Sequence, residues 1–429
     1  MRFMHFVRVR LDHTPAPVNT PKRPPGIRFL PKLRVLTFTT LYPNSAMQSF
    51  AMFVEQRLRH LVASGEVEAR VVAPVPWFPL RSARFGAYGR FARVPRHETR
   101  HGLNLDHPRY LVVPKIGMLL TPHTLFRSGA TAIERLIAAG FDFDLIDAHY
   151  LYPDGVSAAM LARKFRKPLV LTARGTDVNV IARLRRPGRM VLDAIETADA
   201  VITVSSALRD SLIELGAPAS KITAIRNGVD TDLFHETDRA EARDKFGVEG
   251  RVLASVGNLV PLKGHDLVIR AIARLPEARL LIAGDGPMRE TLEKLARELG
   301  VANRVVFLGA VPQTDLPVVY SAADALVLAS SNEGLPNVVM EAIACGTPVV
   351  ATRVGGIPEI VTSRAAGILL RGRSDAAIVD AVTDLFSNPP ERAETSALAR
   401  LFRWSETTAA QLSLFREILA RRGSTDRSH

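Results

Sequence analysis

Two successive series of short apolar runs and helical stretches divide the sequence. The apolar runs of the first series lie at 34–39, 71–75, 145–149, 168–172 and 200–204. Those of the second series lie at 252–256, 280–283, 305–308, 325–329 and 349–352. Buried strands that alternate with helices are typical of doubly wound, parallel α/β sheets. Because 429 residues exceed what one ordinary core holds, the sequence predicts two such domains.

The composition is that of a globular protein, with 47% hydrophobic and 23% charged residues. The single cysteine, Cys345, excludes an intramolecular disulfide and fits a reducing compartment. No run approaches the ~18 apolar residues of a transmembrane helix. Charges interrupt the first eight residues too often for a secretory signal. We therefore expect the protein in the cytoplasm.

The net charge of +13 is concentrated at the start of the chain, where residues 1–100 hold 17 Lys and Arg against 5 Asp and Glu. Such an excess favours nucleic acid, an anionic membrane or an anionic acceptor as partner. No Arg/Gly-aromatic motif, zinc spacing or helix-turn-helix pattern supports nucleic acid. Peripheral attraction to acidic lipid on the inner face of the membrane is the simpler hypothesis. Ordinary solvated arginines are the alternative.

Between Trp77 and Arg109 the apolar periodicity is weak, and arginines are interspersed with aromatic residues. The aromatic positions are Trp77, Phe78, Phe85, Tyr88 and Phe91. Aromatic anchors among arginines suit a membrane interface or an acceptor. A long, irregular insertion is an equally open interpretation. Ahead of this stretch, Phe50–Leu61 has helical apolar spacing, with Arg57, Arg59 and His60 on its other side.

The strand-type run 325–329 leads into a small polar loop and a short helix. Pro336 suits the first helical position, and Gly346 and Pro348 end the helix. The helix has one apolar face, formed by Leu335, Val338, Val339, Ala342 and Ile343. Its open N-terminus favours an anion. Glu333 precedes that end and Glu341 lies within the helix, so their carboxylates can accept hydrogen bonds from hydroxyls on either side of a bound phosphate, as in a nucleotide sugar.

This Glu-x7-Glu spacing is followed by Gly-Thr-Pro-Val-Val-Ala-Thr at 346–352 and Gly-Gly-Ile-Pro-Glu-Ile-Val at 355–361. Together they resemble the donor site of family 4 retaining glycosyltransferases (glycosyl transferases group 1). The resemblance implies the GT-B fold, in which two Rossmann-like domains face each other across a cleft and the last helix returns to the N-terminal domain. The alternative interpretation is an ordinary strand-loop-helix unit whose two glutamates are solvated.

The resemblance also implies domain boundaries, through a crossover motif at 221–230 and a last helix that opens at 402–405. We expect a basic, proline-rich and disordered lead-in over 1–32. The N-terminal, acceptor-side domain then covers 33–222 together with 402–421. The C-terminal, nucleotide-sugar-binding domain covers 223–401, and 422–429 forms a tail.

On the donor side, the resemblance assigns a leaving-group cation to Lys263, whereas Asn258 stands where the family commonly has arginine. Glu333 is expected to orient the sugar and Glu341 the ribose. Arg289 occupies the third position of a dinucleotide glycine fingerprint, which argues against a nicotinamide-dependent dehydrogenase. The predicted donor-binding residues are Asn258, Lys263, Gly284, Gly286, Val311, Glu333, Gly334, Leu335, Pro336, Asn337 and Glu341.

In the N-terminal domain, polar residues follow successive strands, at the edge where open α/β sheets bind ligands. Arg174-Gly175-Thr176-Asp177, paired with the upstream Tyr-Pro-Asp-Gly at 152–155, resembles one branch of the family. Arg174 stands where histidine is common, and 44–49 replaces a glycine pair. The predicted catalytic residues are Glu333, Lys263, Arg174 and His149; His149 as a core histidine is the alternative. Asp154 and Asp177 are assigned to the acceptor side.

Two Asp-x-Asp pairs have the form of a metal site in metal-dependent transferases: Asp142 with Asp144, and Asp230 with Asp232. The first pair precedes its strand, on the wrong edge for a ligand, and the second belongs to the crossover motif. We therefore expect no metal site and no cofactor. Lys263 and the helix end supply the positive charge instead.

The sequence thus predicts a metal-independent, retaining glycosyltransferase that moves a sugar from a UDP- or GDP-sugar to a glycan or lipid-linked acceptor. Synthesis of a surface polysaccharide or glycoconjugate is the expected setting. A sugar-nucleotide epimerase of GT-B type is one alternative. A non-catalytic, basic protein that binds membrane or nucleic acid is the other, and the sequence gives neither the sugar nor the acceptor.

Overall fold

Eight strands build the first sheet of the computed structural model, which describes residues 32–425 except 49, 83, 85 and 113–116. They are β1 (Leu33–Phe38), β2 (Val67–Val72), β4 (His97–Arg100), β5 (Leu103–Asp106), β7 (Leu145–His149), β8 (Leu169–Ala173), β9 (Ala200–Thr203) and β10 (Ile222–Ala224). Their order is β10-β9-β8-β7-β1-β2-β5-β4. All neighbours are parallel except β4 and β5.

Alternate side chains of these strands enter two separate cores, as the two-residue period of a strand requires. Leu36, Phe38 and Ile146 pack with helices α3 (Thr121–Ala138), α4 (Val156–Phe165) and α5 (Arg185–Thr197). Val35 and Leu145 point the other way, towards α1 (Met52–Ala63) and α15 (Trp404–Thr425). The last helix therefore packs on the N-terminal domain, as predicted.

The second sheet has six parallel strands in the order β13-β12-β11-β14-β15-β16. They are β11 (Arg251–Val256), β12 (Ala278–Ala283), β13 (Val305–Gly309), β14 (Ala325–Leu328), β15 (Val349–Ala351) and β16 (Gly367–Leu369). The remaining helices are α6 (Ser206–Glu214), α7 (Arg239–Phe246), α8 (His265–Arg274), α9 (Arg289–Glu298), α10 (Leu316–Ala322), α11 (Asn337–Ala344), α12 (Ile357–Ile360), α13 (Asp375–Ser387) and α14 (Arg392–Ala397). Two doubly wound α/β domains are therefore present, as predicted.

The stretch from Trp77 to Arg109 has regular secondary structure, so its interpretation as an irregular insertion is wrong. It contains α2 (Gly86–Arg93) together with β4 and β5. In addition, β3 (Val75–Pro76) and β6 (Arg109–Tyr110) form a small parallel pair. Because β4 and β5 are short and polar on one face, their alternation is weak in sequence, and only pairing along the edge of β2 makes them strands.

Two predicted boundaries differ from the structure. β2 begins at Val67 instead of Val71, because Glu68 reaches the rim of the sheet, where its carboxylate lies 3.4 Å from Arg34. The predicted tail at 422–429 is helical as far as Thr425, and Arg422 donates hydrogen bonds of 2.8 and 2.9 Å to Asp199. Of the lead-in expected over 1–32, residues 1–31 lie outside the described residues. The domain boundaries at 222 and 401 stay predictions.

Candidate active site

The loop between β14 and α11 carries four of the predicted donor residues, Glu333, Gly334, Leu335 and Pro336, and α11 itself carries Asn337 and Glu341. The helix begins at Asn337, and Pro336 precedes it in an extended conformation (φ −76°, ψ 112°). Pro336 is thus the capping residue and not the first helical residue. Since proline at the cap offers no side-chain acceptor, no side chain caps α11. The Val339 N–H donates to the Pro336 carbonyl at 3.1 Å, which leaves the N–H groups of Asn337 and Val338 for a ligand.

Lys263 and Glu333 form an ion pair at the mouth of this loop. The Lys263 ammonium lies 2.6 Å from Glu333 Oε1, which also accepts a hydrogen bond of 2.7 Å from the Ser330 hydroxyl. Their side chains are only 19% and 9% exposed. The two residues predicted to hold the phosphate and the sugar are therefore already in contact, and a bound diphosphate has to share Lys263 with Glu333.

Glu341 lies deeper, on the buried side of α11. Its Oε2 accepts a 2.8 Å hydrogen bond from the Tyr320 hydroxyl. Burial raises the pKa of Glu341 to about 7, although the hydrogen bond from Tyr320 acts in the opposite direction. This carboxyl group therefore changes its charge near neutral pH, and a hydroxyl ligand that donates to it favours the charged form.

A cavity of about 410 Å³ lies between the two domains and contains Glu341 in its wall. The first domain contributes residues of α1 and the residue before it: Ala51, Met52, Phe53 and Gln56. The second domain contributes the ends of its strands and α11, including the predicted residues Asn258, Lys263, Gly284, Val311 and Asn337. This volume falls within the usual range of a ligand site, roughly 300–1,000 Å³.

A second cavity of about 230 Å³ adjoins the first. Phe53, Lys263, Asn337 and Val338 line both cavities. The smaller one is closed by Arg174, Val204, Asn227 and the loop Glu333, Gly334, Leu335 and Pro336. Lys263 therefore lies where the two cavities meet, with Glu341 in one and Glu333 in the other.

Gly286 is the predicted donor residue that lines neither cavity. A Cβ atom on it would lie 2.6 Å from the carbonyl oxygen of Leu259, so this position holds the loop after β12 against the loop after β11. Gly286 thus affects the cavity indirectly, by allowing these two loops to pack closely. Gly284, by contrast, lines the larger cavity itself.

Arg174 is held by a buried polar network at the ends of β7 and β8. One guanidinium nitrogen donates to His149 Nδ1 at 2.7 Å, and another donates to Asn227 Oδ1 at 3.2 Å. The guanidinium also lies 5.1 Å from the ring centroid of Phe53. Burial, with a further effect of the nearby Arg57, lowers the pKa of Arg174 to about 9, so it stays charged at neutral pH.

His149 is engaged at both ring nitrogens. Its Nε2 lies 3.4 Å from Asp147 Oδ2, and its Nδ1 accepts from Arg174. Burial lowers the pKa of His149, which is 1% exposed. The neutral ring lines neither cavity, so the geometry favours a role for His149 in positioning Arg174 rather than in contacting a substrate.

The two domains match two known families in sequence. Residues 51–233 match the family described as Glycosyltransferase Family 4, and residues 238–402 match Glycosyl transferases group 1. Both domains of the chain are glycosyltransferase domains. This agrees with the family predicted from the donor motifs, while the branch with Arg-Gly-Thr-Asp stays a prediction.

Curated relatives point the same way for these glycosyltransferase domains. The chain is 35% identical over 318 residues to D-inositol 3-phosphate glycosyltransferases of Mycobacterium bovis and Mycobacterium tuberculosis. The match covers 68% of this chain and 65% of the relatives, so the chain matches slightly less than two thirds of their length. What these relatives do as whole proteins therefore bears on this chain only as a proposal.

Solved structures establish the fold. Sucrose-phosphate synthase from Thermosynechococcus elongatus is 21% identical, with a TM-score of 0.74 over 91% of this chain and 100% of that one. Anabaena HepE, solved in complex with UDP-glucose, is 21% identical with a TM-score of 0.64, over 91% of this chain and 99% of that one. The fold of the two glycosyltransferase domains is GT-B, as predicted.

Asp154 and Asp177, predicted for the acceptor side, are fully buried. Asp154 accepts hydrogen bonds from the backbone and hydroxyl of Thr40 at 2.8 and 3.0 Å. Asp177 accepts from the backbone of Leu151 at 2.9 Å and of Gly175 at 2.7 Å. Both carboxyls therefore tie together the loops that follow the strands. Their assignment to the acceptor side stays a prediction, and any effect on an acceptor passes through those loops.

Sequence reasoning missed three residues that complete the network. Arg57 was expected on the outer side of α1, yet it is 2% exposed and donates to Gln411 Oε1 at 2.7 Å. It also donates to Asn227 Oδ1 at 3.3 Å, and Asn227 donates to Asn337 Oδ1 at 3.1 Å. The only sequence signal was the position of Asn227 in the crossover motif. Arg57 and Gln411 lie too far apart in sequence to be recognised as partners.

The described part of the chain holds no cluster of three or more His, Cys, Asp or Glu side chains that suits a metal ion. The Asp142 carboxylate lies 2.7 Å from Lys167, and Asp144 accepts a 2.7 Å hydrogen bond from the Arg34 backbone. Asp230 Oδ1 accepts from the backbone of Asp232. The carboxylates of Asp142, Asp144 and Asp230 thus have structural partners, and the expected absence of a metal stays a prediction.

Among the described residues, no helix is long and apolar enough to cross a membrane. Large apolar side chains are nevertheless exposed along the region between β3 and α3. They are Trp77 (52%), Leu80 (47%), Tyr88 (43%), Leu111 (58%), Met118 (44%) and Leu120 (52%). We call these six residues the apolar rim.

Proposed function

We propose that this protein transfers a sugar from a nucleotide diphosphate sugar to a hydroxyl group of a glycan or lipid-linked acceptor. The observation that carries the proposal is the position of Lys263 between two adjoining cavities, one containing Glu341 and the other Glu333. A nucleotide sugar has the same order of groups: a nucleoside, an anionic diphosphate, and a sugar.

In this arrangement the nucleoside occupies the larger cavity. The ionised Glu341 accepts hydrogen bonds from the ribose hydroxyls, and the segment around Val311 contacts the base. Met52, Phe53 and Gln56 of α1 cover the nucleoside from the opposite domain. Gln56 Nε2 already donates to Gln313 Oε1 at 2.9 Å, so both walls of the cavity are joined at this point.

The diphosphate lies at Lys263 and the open N-terminus of α11, and the sugar lies in the smaller cavity beside Glu333 and Arg174. When the bond between the anomeric carbon and the diphosphate oxygen breaks, its electron pair passes to the diphosphate. Lys263, the N–H groups of α11 and Arg174 stabilise that charge, so no metal is needed. The acceptor oxygen forms the new bond to the anomeric carbon, and its proton passes to the departing diphosphate oxygen. We include in this proposal that the anomeric carbon retains its configuration.

The identity of the donor is proposed from the solved relatives. HepE binds UDP-glucose and UDP, which supports a UDP-sugar ahead of a GDP-sugar. The mycobacterial relatives are named for D-inositol 3-phosphate as acceptor. For this chain we propose a glycan or lipid-linked acceptor in cell-surface polysaccharide or glycoconjugate synthesis, at a cytoplasmic location.

Calorimetric titration with a panel of UDP- and GDP-sugars tests the donor site. We expect one sugar nucleotide to bind and the Glu341→Ala variant to lose at least about tenfold in affinity, since a hydroxyl bound to a charged group contributes about 1.5–3 kcal/mol. Glu290→Ala, an exposed change on α9, is the matched control. Unchanged affinity in Glu341→Ala contradicts the donor site. Isomerisation of the sugar nucleotide without acceptor indicates an epimerase instead.

The apolar rim supports a second proposal, contact with an anionic membrane. Arginines accompany it at 81, 84, 90, 93 and 96, and aromatic residues among cations suit a lipid headgroup region. We expect flotation with vesicles of about one third phosphatidylserine and little with phosphatidylcholine alone. Trp77→Ser combined with Leu111→Ser should reduce it, whereas Arg279→Ser in the second domain should not. Equal flotation of both variants contradicts the proposal.

A further inference from the structure

A separate cavity of about 120 Å³ lies in the N-terminal domain, beside the loop that follows β1. Strand ends, the β3–β6 pair and α2 form its walls. The lining residues are Thr40, Tyr42, Asn44, Met47, Phe50, Ala73, Pro74, Val75, Pro76, Phe91, His107 and Tyr110. We call it the first-loop cavity, and none of the predicted donor-binding residues lines it.

Glu98 holds the loop over the first-loop cavity. Its Oε2 accepts from the backbone of Ser45 at 3.1 Å, and its Oε1 lies 2.8 Å from His107 Nε2. The other ring nitrogen of His107 lies 2.9 Å from the carbonyl oxygen of Ala73. Both ring nitrogens of His107 are therefore engaged, and a ligand can contact only the carbon atoms and the face of the ring.

The chemistry of the wall is neutral and mostly apolar. No Asp, Glu, Lys or Arg lines the first-loop cavity, and the Thr40 hydroxyl is already used in its 3.0 Å hydrogen bond to Asp154. A phosphate group needs cationic or open N–H donors, and burying a charge without a partner is strongly unfavourable. This cavity is therefore suited to a neutral group and unsuited to a phosphate.

One polar group at the first-loop cavity lacks a partner. Tyr42 is 1% exposed, and within the part of the chain that the structure describes its hydroxyl makes no hydrogen bond. Buried hydroxyls are almost always hydrogen-bonded, so an exception calls for a partner. Tyr42 is one of the lining residues, so a ligand that draws its hydroxyl into the cavity supplies that partner.

The first-loop cavity and the donor cavities share a single short segment of chain. Phe50 lines the first-loop cavity, whereas Ala51, Met52 and Phe53 line the larger donor cavity and Phe53 also lines the smaller one. Three residues of extended chain span at most about 10–11 Å. A molecule anchored at Phe50 can thus extend past this segment towards the sugar end of the donor.

We propose that the first-loop cavity binds a neutral apolar part of the acceptor, a ring or a short alkyl segment, with Tyr42 hydrogen-bonded to a polar atom on it. The size is of the right order, about 120 Å³ against the roughly 150 Å³ of an apolar protein cavity that accommodates benzene. The inference rests on the proposed transferase function and specifies its acceptor. It favours a lipid-linked or aromatic glycoside over a phosphorylated sugar.

Ligand-observed NMR and calorimetry on the full chain, without donor, test the cavity directly. The probes are methyl, phenyl and 4-hydroxyphenyl β-D-glucopyranoside and glucose 6-phosphate. We expect the phenyl glucoside to bind at least about tenfold more tightly than the methyl glucoside, with saturation transfer strongest on the ring. Glucose 6-phosphate should bind no better than the methyl glucoside.

Three variants separate the cavity from other surfaces. Val75→Phe fills the cavity and should abolish the preference for the phenyl ring, and Phe50→Ala, a change at a 40% exposed side chain, should weaken it if Val75→Phe does not fold. Tyr42→Phe should lower affinity for the 4-hydroxyphenyl glucoside about three- to tenfold, the effect of one hydrogen bond, and leave the phenyl glucoside unchanged. Glu290→Ala, the exposed change on α9 in the second domain, is the control.

Equal binding of methyl and phenyl glucosides, or a preference unaffected by both Val75→Phe and Phe50→Ala, overturns the inference. A transfer assay with the bound sugar nucleotide then connects the cavity to the acceptor: the KM for phenyl glucoside should rise in Phe50→Ala while the KM for donor stays constant. A change in donor KM alone counts against the inference. Failure of every sugar nucleotide to bind refutes the proposed function and leaves the probe result standing.

Discussion

At the scale of single residues, the buried carboxyl of Glu341 governs how the donor site responds to pH. Burial raises its pKa from 4.5 to about 7, so the folded protein binds this proton more tightly than the unfolded chain does. The resulting stabilisation is complete below about pH 4.5 and is lost as the pH rises through about 7. Above neutral pH the unliganded protein therefore holds a charged carboxyl in an unfavourable site.

Glu341→Gln should consequently stabilise the unliganded protein at about pH 8, by on the order of 2 kcal/mol, because the amide is never charged. At about pH 5 the two proteins should have similar free energies of unfolding. Urea unfolding at both pH values measures the difference. A gap that is the same at both, or larger at the lower pH, contradicts the raised pKa.

Lys263 is the residue on which transition-state stabilisation should depend most. Lys263→Ala should lower kcat about 10²–10³-fold, the usual effect of removing one group aimed at developing charge. Glu333 keeps its hydrogen bond from Ser330, so the loop should persist. Lys294→Ala, a change at a 72% exposed side chain on α9, is the control. Steady-state kinetics that show a higher KM at constant kcat are inconsistent with this role.

At the scale of secondary-structure elements, α1 and α15 meet through polar as well as apolar contacts. Gln411 of α15 accepts from Arg57 of α1 at 2.7 Å and donates to Asp147 Oδ2 at 3.1 Å. Burial lowers the pKa of Arg57 to about 10, so it is charged at neutral pH inside the protein. The last helix therefore supplies the partner that makes a buried arginine tolerable next to the active site.

Gln411→Leu should reduce the free energy of unfolding by about 2–3 kcal/mol, because it removes the acceptor of the buried Arg57 Nε and leaves Asp147 Oδ2 with the longer, 3.4 Å contact to His149 Nε2. Ser413→Ala, on the exposed side of the same helix, should change it little. Urea denaturation followed by circular dichroism compares the two. A neutral result for Gln411→Leu indicates that water or rearrangement replaces the contact.

At the scale of the whole molecule, the two domains touch through glycines at the edge of the smaller donor cavity. A Cβ atom on Gly334 would lie 2.1 Å from the carbonyl oxygen of Arg174, and one on Gly175 would lie 3.0 Å from the Gly334 nitrogen. Only residues without a side chain allow this approach. The distance between the Arg174 loop and the Glu333 loop, and with it the shape of the sugar site, depends on both.

Gly334→Ala should separate these loops and lower donor affinity at least about tenfold. The new methyl group would clash with the Arg174 carbonyl oxygen, and a backbone atom cannot move aside as a flexible side chain can. Gly372→Ala is the matched control, because a Cβ there meets nothing within 4 Å. Calorimetry with the sugar nucleotide and thermal unfolding distinguish a displaced loop from a destabilised domain. Donor affinity that is retained in Gly334→Ala argues against tight apposition of the two loops.

Local sequence patterns determined the elements of this protein and their succession. The strand at Leu145–His149 is found where its apolar run predicts it, and the loop with Glu333 and the helix with Glu341 lie where the turn residues place them. The edge strands β4 and β5 were missed because a short, half-polar strand has no pattern apart from its neighbour. Period and turn chemistry are encoded within about ten residues, which is why a single sequence reveals them.

The pairing of distant residues was decided by the tertiary structure alone. Arg57 with Gln411, Arg174 with His149 and Asn227, Gly175 with Gly334, and the walls of the first-loop cavity each join segments far apart in the chain. Such contacts follow from how the two sheets and α15 pack, and local sequence does not specify which distant segments come together. The positions of Glu333 before α11 and of Glu341 within it could thus be predicted from the sequence, whereas the network that holds Arg174 and the proposed acceptor cavity could not.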